Sequence, residues 1–349
     1  MAEKRVRQRG ERGQVLILMA MGMMVLLGIV ALTIDVGFTY EHRRSLQNAA
    51  DAAALAGAAE LPFDPALAEQ KARAWAADSG ITGADQLVVQ ILSTKVANDT
   101  IKVSVARDVR YRFGTVLGLI SNRVPASASA RVGSPAGLNR FIPLAVQKAT
   151  FEGLKPGDSA TLKYDTKDAT HGNSLALAFP GSSGANDFRN NIYYGSTQTL
   201  CSQGQEYDGC SSSTPTEPGG MTGPTKQAID DMLRATSASC DTYAEVFKTD
   251  ASNPSIITIN PACDPFPPYN VTTSKQIVII PVIDQLCSGR CDVRIVRFAL
   301  FFLEGIHCNG GQGTCDVSGR YAHASLDPGA FYIGAYDGNA GMKFARLVD

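Results

Sequence analysis

Histidine is scarce in this chain: four residues in 349, at His42, His171, His307 and His323. The sequence also has no H-E-x-x-H, no G-x-S-x-G and no S-x-x-K. Hydrolysis needs an activated nucleophile with a base in reach, so these absences remove its common routes. The glycine-rich pieces Gly181-Ser182-Ser183-Gly184 and Gly310-Gly311-Gln312-Gly313 lack the strand-to-helix setting of a phosphate loop, and no cofactor is expected. The acidic groups Asp230-Asp231 and Asp165 with Asp168 read as solvated surface charge. Lys and Arg total 32 against 33 Asp and Glu, which gives no electrostatic case for nucleic acid. Repeats of roughly 20–50 residues are absent. Asn270-Val271-Thr272 fits a glycosylation acceptor by string alone.

One local absence is more informative. From Gln14 to Ile34, QVLILMAMGMMVLLGIVALTI, there is no charged residue. Twenty-one helical residues span about 31 Å, close to the hydrocarbon thickness of a bilayer. The run is longer than the roughly 7–15 apolar residues of a cleaved secretory signal, so an uncleaved transmembrane helix is expected. Lys4, Arg5, Arg7, Arg9 and Arg12 precede it, and only Arg43 and Arg44 follow closely. That asymmetry places the N-terminus in the cytoplasm and the rest of the chain outside.

Cysteine is missing from the first 200 residues and then occurs eight times: Cys201, Cys210, Cys240, Cys263, Cys287, Cys291, Cys308 and Cys315. In an exported region an even count points to as many as four disulfides. Cys201–Cys210, Cys287–Cys291 and Cys308–Cys315 are the short-loop candidates, while the full pairing stays open. Zinc is the competing reading because His307 adjoins Cys308, but no C-x-x-C is present and structural zinc sites use tighter spacing. No metal is expected.

Between Asp35 and Glu60 there is no proline, so the apolar helix should continue outward until Leu61-Pro62 ends it. The last part, LQNAADAAALAGAAE (46–60), is nearly all small residues. On a helix, Ala49, Ala53 and Gly57 form one stripe, and Ala50, Ala54 and Ala58 form the next. Small-xxx-small stripes admit close helix–helix approach, or they let the helix lie on the chain's own sheet. A second helix is expected over 66–80, with Leu67, Ala74 and Trp75 on its apolar side. Strands are expected at 86–92, 100–113 and 125–132, with a turn at Asn98-Asp99. Residues 133–140 read as a linker. Beyond it come strand-like runs, TLKYDT, NIYYGS, SIITI, QIVIIPVID and VRIVRFALFFLEGI, and one clear helix at 224–236. Residues 181–223 should be rich in loops.

The stretch RGQVLILMAMGMMVLLGIVALTIDVGFTYEHRRSLQNAADAAALAGAAELP resembles the N-terminal segment of the Flp pilus-assembly TadE/TadG-like (Tad) proteins. Their pattern is Arg-Gly, an apolar helix ending in Asp-x-Gly, then Gln-Asn-Ala-Ala-Asp-Ala-Ala-Ala-Leu-Ala-Gly-Ala. Here Asp35, Gly37, Gln47, Asn48 and Asp51 occupy that pattern's polar and glycine positions. The later VSVARDVRYRFGTVLGLISNRVPASASARV is similar to the corresponding region of TadG-like chains, and PGGMTGPTKQAID and QIVIIPVID to the secreted half of some members. The resemblance implies a single-pass protein of the bacterial inner membrane that serves the tight-adherence apparatus. Its partners would be other Tad/Flp assembly proteins, itself included through the small-residue helix. Membrane-anchored ligand binding or adhesion is the alternative, and an anchored enzyme comes third.

Two departures limit the transfer. Prepilin processing needs a glutamate five residues after the cleavage glycine, whereas Gly13 is followed at that spacing by Leu18. The metal motif Asp-x-Ser-x-Ser of a von Willebrand A-type domain is incomplete at both Asp316–Arg320 and Asp250–Pro254. The expected architecture is therefore α+β: a basic cytoplasmic segment (1–13), a transmembrane helix (14–34), a pilin-like helix and small sheet (35–133), and a β-rich, disulfide-bonded extracytoplasmic part (134–349).

Overall fold

The computed structural model describes residues 11–163, 174–179, 184–204, 210–217, 219–249, 257–264, 274–287, 289–309, 314–326, 332–338 and 342–348. Residues 1–10, Asp165, Asp168, His171, Gly181–Ser183, Asp250–Pro254, Asn270–Thr272 and Gly310–Gly313 lie outside the described residues.

A single helix, α1 (Glu11–Ala58), runs for 48 residues, about 70 Å. Its two halves meet different surroundings. Val15 to Val30 are exposed throughout, with Leu16 at 74% and Met24 at 75% exposure. The segment is long and apolar enough to cross a membrane. From Asp35 outward one side of α1 becomes buried, because the small residues there let other elements come close.

Those elements are α2 (Pro65–Asp78) and the strands β2 (Thr100–Arg110) and β3 (Ser121–Gly133), with β1 (Gln86–Leu92) at the edge of their sheet beside β2. The Asp64 carboxylate starts α2 by accepting the Leu67 N–H at 2.8 Å, and Gly80, at φ +85°, follows its end. The buried face of α2 is Ala68, Ala72 and Ala76, whereas Trp75 is 52% exposed. This corrects the expected Leu67–Ala74–Trp75 side: α2 lies on the alanines of α1, and only alanines fit between two helices that close. The expected turn is held by Asp99, which accepts N–H bonds from Thr94, Lys95 and Val96 at 2.7–3.0 Å. Burial raises the Asp99 carboxyl, but these donors and Thr100 outweigh it and hold it at about 2.

β1, β2 and β3 form an antiparallel meander, which then continues into Met342–Val348 and Ala324–Leu326. Phe344 pairs with Gly133 and Val348 with Ser129, so residues more than 200 positions downstream complete the sheet that began at β1. A division of the chain at residue 133 does not anticipate that pairing. Nor is 133–140 a plain linker: Pro135–Leu138 is a buried strand bonded to Leu200–Cys201.

The second body centres on a sheet ordered Val146–Gln147, Ile277–Ile283, Asp292–Asn309, Thr314–Ala322 and Ser159–Lys163, with Ser213–Pro215 paired to the start of Asp292–Asn309. Its middle strands are covered on both faces. Ile277, Ile279, Phe298, Leu300 and Phe302 join a core with Phe141 and Phe344. Val278, Ile280, Val282, Phe301 and Leu303 face helices Ala185–Tyr194 and Thr222–Ala235 through Phe188, Ile192, Ile229 and Met232. Double coverage explains why IVIIPVI and RFALFFL read as continuous apolar runs rather than alternating ones. Helix Ala185–Tyr194 replaces the expected strand at NIYYGS, since Phe188 and Ile192, four apart, give it a buried stripe. Four disulfides join Cys201–Cys210, Cys240–Cys263, Cys287–Cys291 and Cys308–Cys315, all in this β-rich part. The three short-loop candidates are among them.

Candidate functional site at the membrane-proximal junction

The family-like residues of α1 sit where the helix leaves its apolar span and meets the sheet. Asp35 is 5% exposed although it follows directly on Ile34. Its carboxylate accepts the backbone N–H of Arg112 at 2.8 Å, of Phe113 at 3.1 Å and of Gly114 at 2.6 Å. These three donors line the turn that joins β2 to β3, so one side chain ties the hairpin tip to the helix. Gly114 suits the approach, since a Cβ there would sit 3.3 Å from Asp35 Oδ2. Arg112 also stacks its guanidinium over Phe38, 4.8 Å from the ring centre. Gly37 has open space around it, and nothing in the structure requires a glycine there.

Three turns further out, Gln47 donates to Asp51 Oδ1 at 2.8 Å and to the Ser127 carbonyl at 3.0 Å, linking α1 to β3. Asn48 is exposed. The two small stripes are both buried: Ala49, Ala50, Ala53, Ala54 and Ala58 are at most 2% exposed, in one core with α2 and β2–β3. A Cβ on Gly57 would lie 2.6 Å from Ile101 Cδ1, 2.8 Å from the Ala68 carbonyl oxygen and 3.1 Å from Ala72 Cβ. Of the two uses open to these stripes, packing within the chain is the one the structure contains.

The outer end of α1 is closed by a residue from far along the chain. Buried Lys343, on strand Met342–Val348, donates to the Ala59 carbonyl at 2.6 Å, where the helix leaves free acceptors. Glu60, also buried, pairs with Lys71 of α2. Burial lowers the Lys343 ammonium, and the nearby Glu60 partly restores it. Phe63 packs edge-on to His323 and Tyr336, at 6.2 and 5.8 Å. Burial, with the Lys343 charge adding to it, pushes the His323 imidazole down to about 4, so it is neutral at pH 7.

Neutral His323 gives a pH signature. The unfolded imidazole, near 6.5, binds a proton that the folded one refuses until about pH 4. Stability should therefore be level above pH 6.5 and fall as pH drops from 6.5 to 4, by at most about 3 kcal/mol. His323→Phe should flatten that slope in urea unfolding at stepped pH.

The remaining sequence candidates do not converge on chemistry. His42 contacts Phe38 edge-on at 5.1 Å. His307 is exposed, and its neighbour Cys308 is oxidised with Cys315. Asp316–Arg320 lies within strand Thr314–Ala322 rather than at a loop. Asp230 and Asp231 are partly exposed on helix Thr222–Ala235 and pair with Lys226, Arg189 and Arg234. Among the described residues no group of three or more His, Cys, Asp or Glu could hold a metal ion.

Sequence reasoning missed what Asp35, Lys343 and His323 do. Asp35 carried a signal, an acidic residue abutting an apolar span, but its partners are backbone groups 77 to 79 residues away. Lys343 and His323 carried none. No curated protein and no solved structure matches the chain. One family model does, and its reach coincides with the inner and outer halves of α1: residues 13–60, from the start of the apolar span through Asp35 and both small stripes to Glu60, match the family described as Putative Flp pilus-assembly TadE/G-like.

Proposed function

We propose that this protein is a structural component of a Tad-type apparatus that assembles Flp pili, anchored in the bacterial inner membrane by α1 with its N-terminus in the cytoplasm. The carrying observation is that the matched residues 13–60 are the ones that join the apolar span to the folded body. The match supports the pilus-assembly role. The basic residues before Gln14 support the orientation, and the disulfides support an oxidising compartment for the rest of the chain. In this reading α1 is a rigid stalk: Asp35 fixes the sheet at its base and Lys343 closes its outer end. The role is mechanical and connective, with other assembly proteins as partners and no catalytic step.

Deleting the gene and restoring it with the full chain tests this. Loss of surface pili on deletion, with recovery on restoration, is the expected result. Normal piliation together with lost attachment to a surface ligand would overturn the assembly role in favour of adhesion. In the same cells, protease added to spheroplasts should digest everything beyond α1; a protected Cys-rich part would reverse the orientation.

A further inference from the structure

The turn between β2 and β3 is unusual in what it exposes. Phe113, Val116, Leu119 and Ile120 are 45, 87, 52 and 70% exposed, on a tip whose flanking strands bury apolar residues such as Val109 and Val124. Four large apolar side chains pointing to water on one ten-residue turn constitute a patch that needs a partner. Its position names one. Asp35 fixes the backbone of Arg112–Gly114 beside the outer end of the apolar span. One turn nearer the membrane, Ala31, on the same helix face as Asp35, is half-buried while Leu32, Thr33 and Ile34 are exposed, and α1 touches Gly114–Leu117 of the turn. Phe38 of α1, 40% exposed and under the Arg112 guanidinium, adds apolar surface beside it. Arg110 and Arg112, both exposed, flank the tip at the level where headgroup phosphates would lie.

We propose that the 111–120 turn is a second membrane contact: its apolar tip inserts into the outer boundary of the same bilayer that α1 crosses, with Arg110 and Arg112 at the phosphates. This rests on the reading of α1 as a membrane span. A helix alone leaves the body free to swivel and tilt about its axis. A second insertion point, held to the helix by Asp35, fixes the body's rotation and its height above the lipid.

The single tryptophan, Trp75, makes a direct test possible. In a Trp75→Phe background, the full chain carrying Val116→Trp, Ile120→Trp or Met23→Trp is placed in phosphatidylcholine–phosphatidylglycerol vesicles. Lipids brominated near the headgroup end of the acyl chain then serve as quenchers. The expected result is quenching of about twofold or more for both turn probes, with Met23→Trp quenched by mid-chain bromine. If Met23→Trp is quenched while both turn probes stay bright and accessible to aqueous acrylamide, the insertion is overturned and the anchor stands. Turn probes shielded from both bromine and acrylamide would mean a protein surface covers the tip, which also overturns it. If Met23→Trp is not quenched, the membrane reading of α1 fails first.

Discussion

Gly57→Leu should remove about 3 kcal/mol or more from the membrane-proximal body. A glycine inside a helix normally weakens it by roughly 0.5–1 kcal/mol, so alanine would ordinarily be an improvement. Here the first added carbon already meets the Ala68 carbonyl oxygen at 2.8 Å and Ile101 Cδ1 at 2.6 Å. Ile101 could turn aside, but the carbonyl belongs to the backbone of α2, which can yield only by moving as a body. Leucine adds three more carbons where α1, α2 and β2 converge. Leu55, two residues earlier and 36% exposed, is the matched control; Leu55→Ala should stay within about 0.5 kcal/mol. Urea unfolding of the full chain in detergent, followed by proteolysis between 60 and 133, distinguishes them. Wild-type stability in Gly57→Leu would mean that α1 and α2 are not packed as described.

The second large effect is local. Asp35→Ala strips three backbone N–H groups of their acceptor, and bonds to a charged group contribute about 1.5–3 kcal/mol each when well made. Water reaches part of this turn, so the loss is confined to the tie between α1 and the hairpin tip. Hydrogen exchange at Arg112, Phe113 and Gly114 should accelerate about 100-fold, with little change in the core around Phe301. Asp35→Asn retains an acceptor oxygen and should fall between the two. Uniform acceleration throughout the chain would show that Asp35 supports the whole fold instead of one joint.

These two residues also mark how far the sequence could be read. The length of α1, its freedom from proline and its apolar half followed from composition, because a bilayer-length run without charge has few alternatives. The burial of the small stripes was legible as a need for close approach, though not as a choice between α2, the sheet and another chain. The face of α2 was misjudged because Leu67 and Trp75 are its bulkiest apolar residues. In a contact limited by Cβ–Cβ distance it is the smallest residues that go inside. Helix Ala185–Tyr194 hid among polar residues, its stripe only Phe188 and Ile192. The ties at both ends of the outer half of α1 were invisible for one reason: each joins a side chain to a backbone group, across 77 and 284 positions, and backbone acceptors and donors leave no letter in the sequence.

The pairing of Met342–Val348 with β3 bears on the order of synthesis. Until residue 348 has been made, β3 lacks its neighbour and Ala59 lacks its lysine, so the sheet nearest the membrane closes last although most of it is made first. During that interval β3 presents an open row of unpaired backbone groups, a template that any extended strand could occupy. A nascent chain held in this state would wait on its own distant segment, slowly, as closures of long sequence separation do. The same interval is when another copy, or any chain offering an extended strand, could compete for the slot.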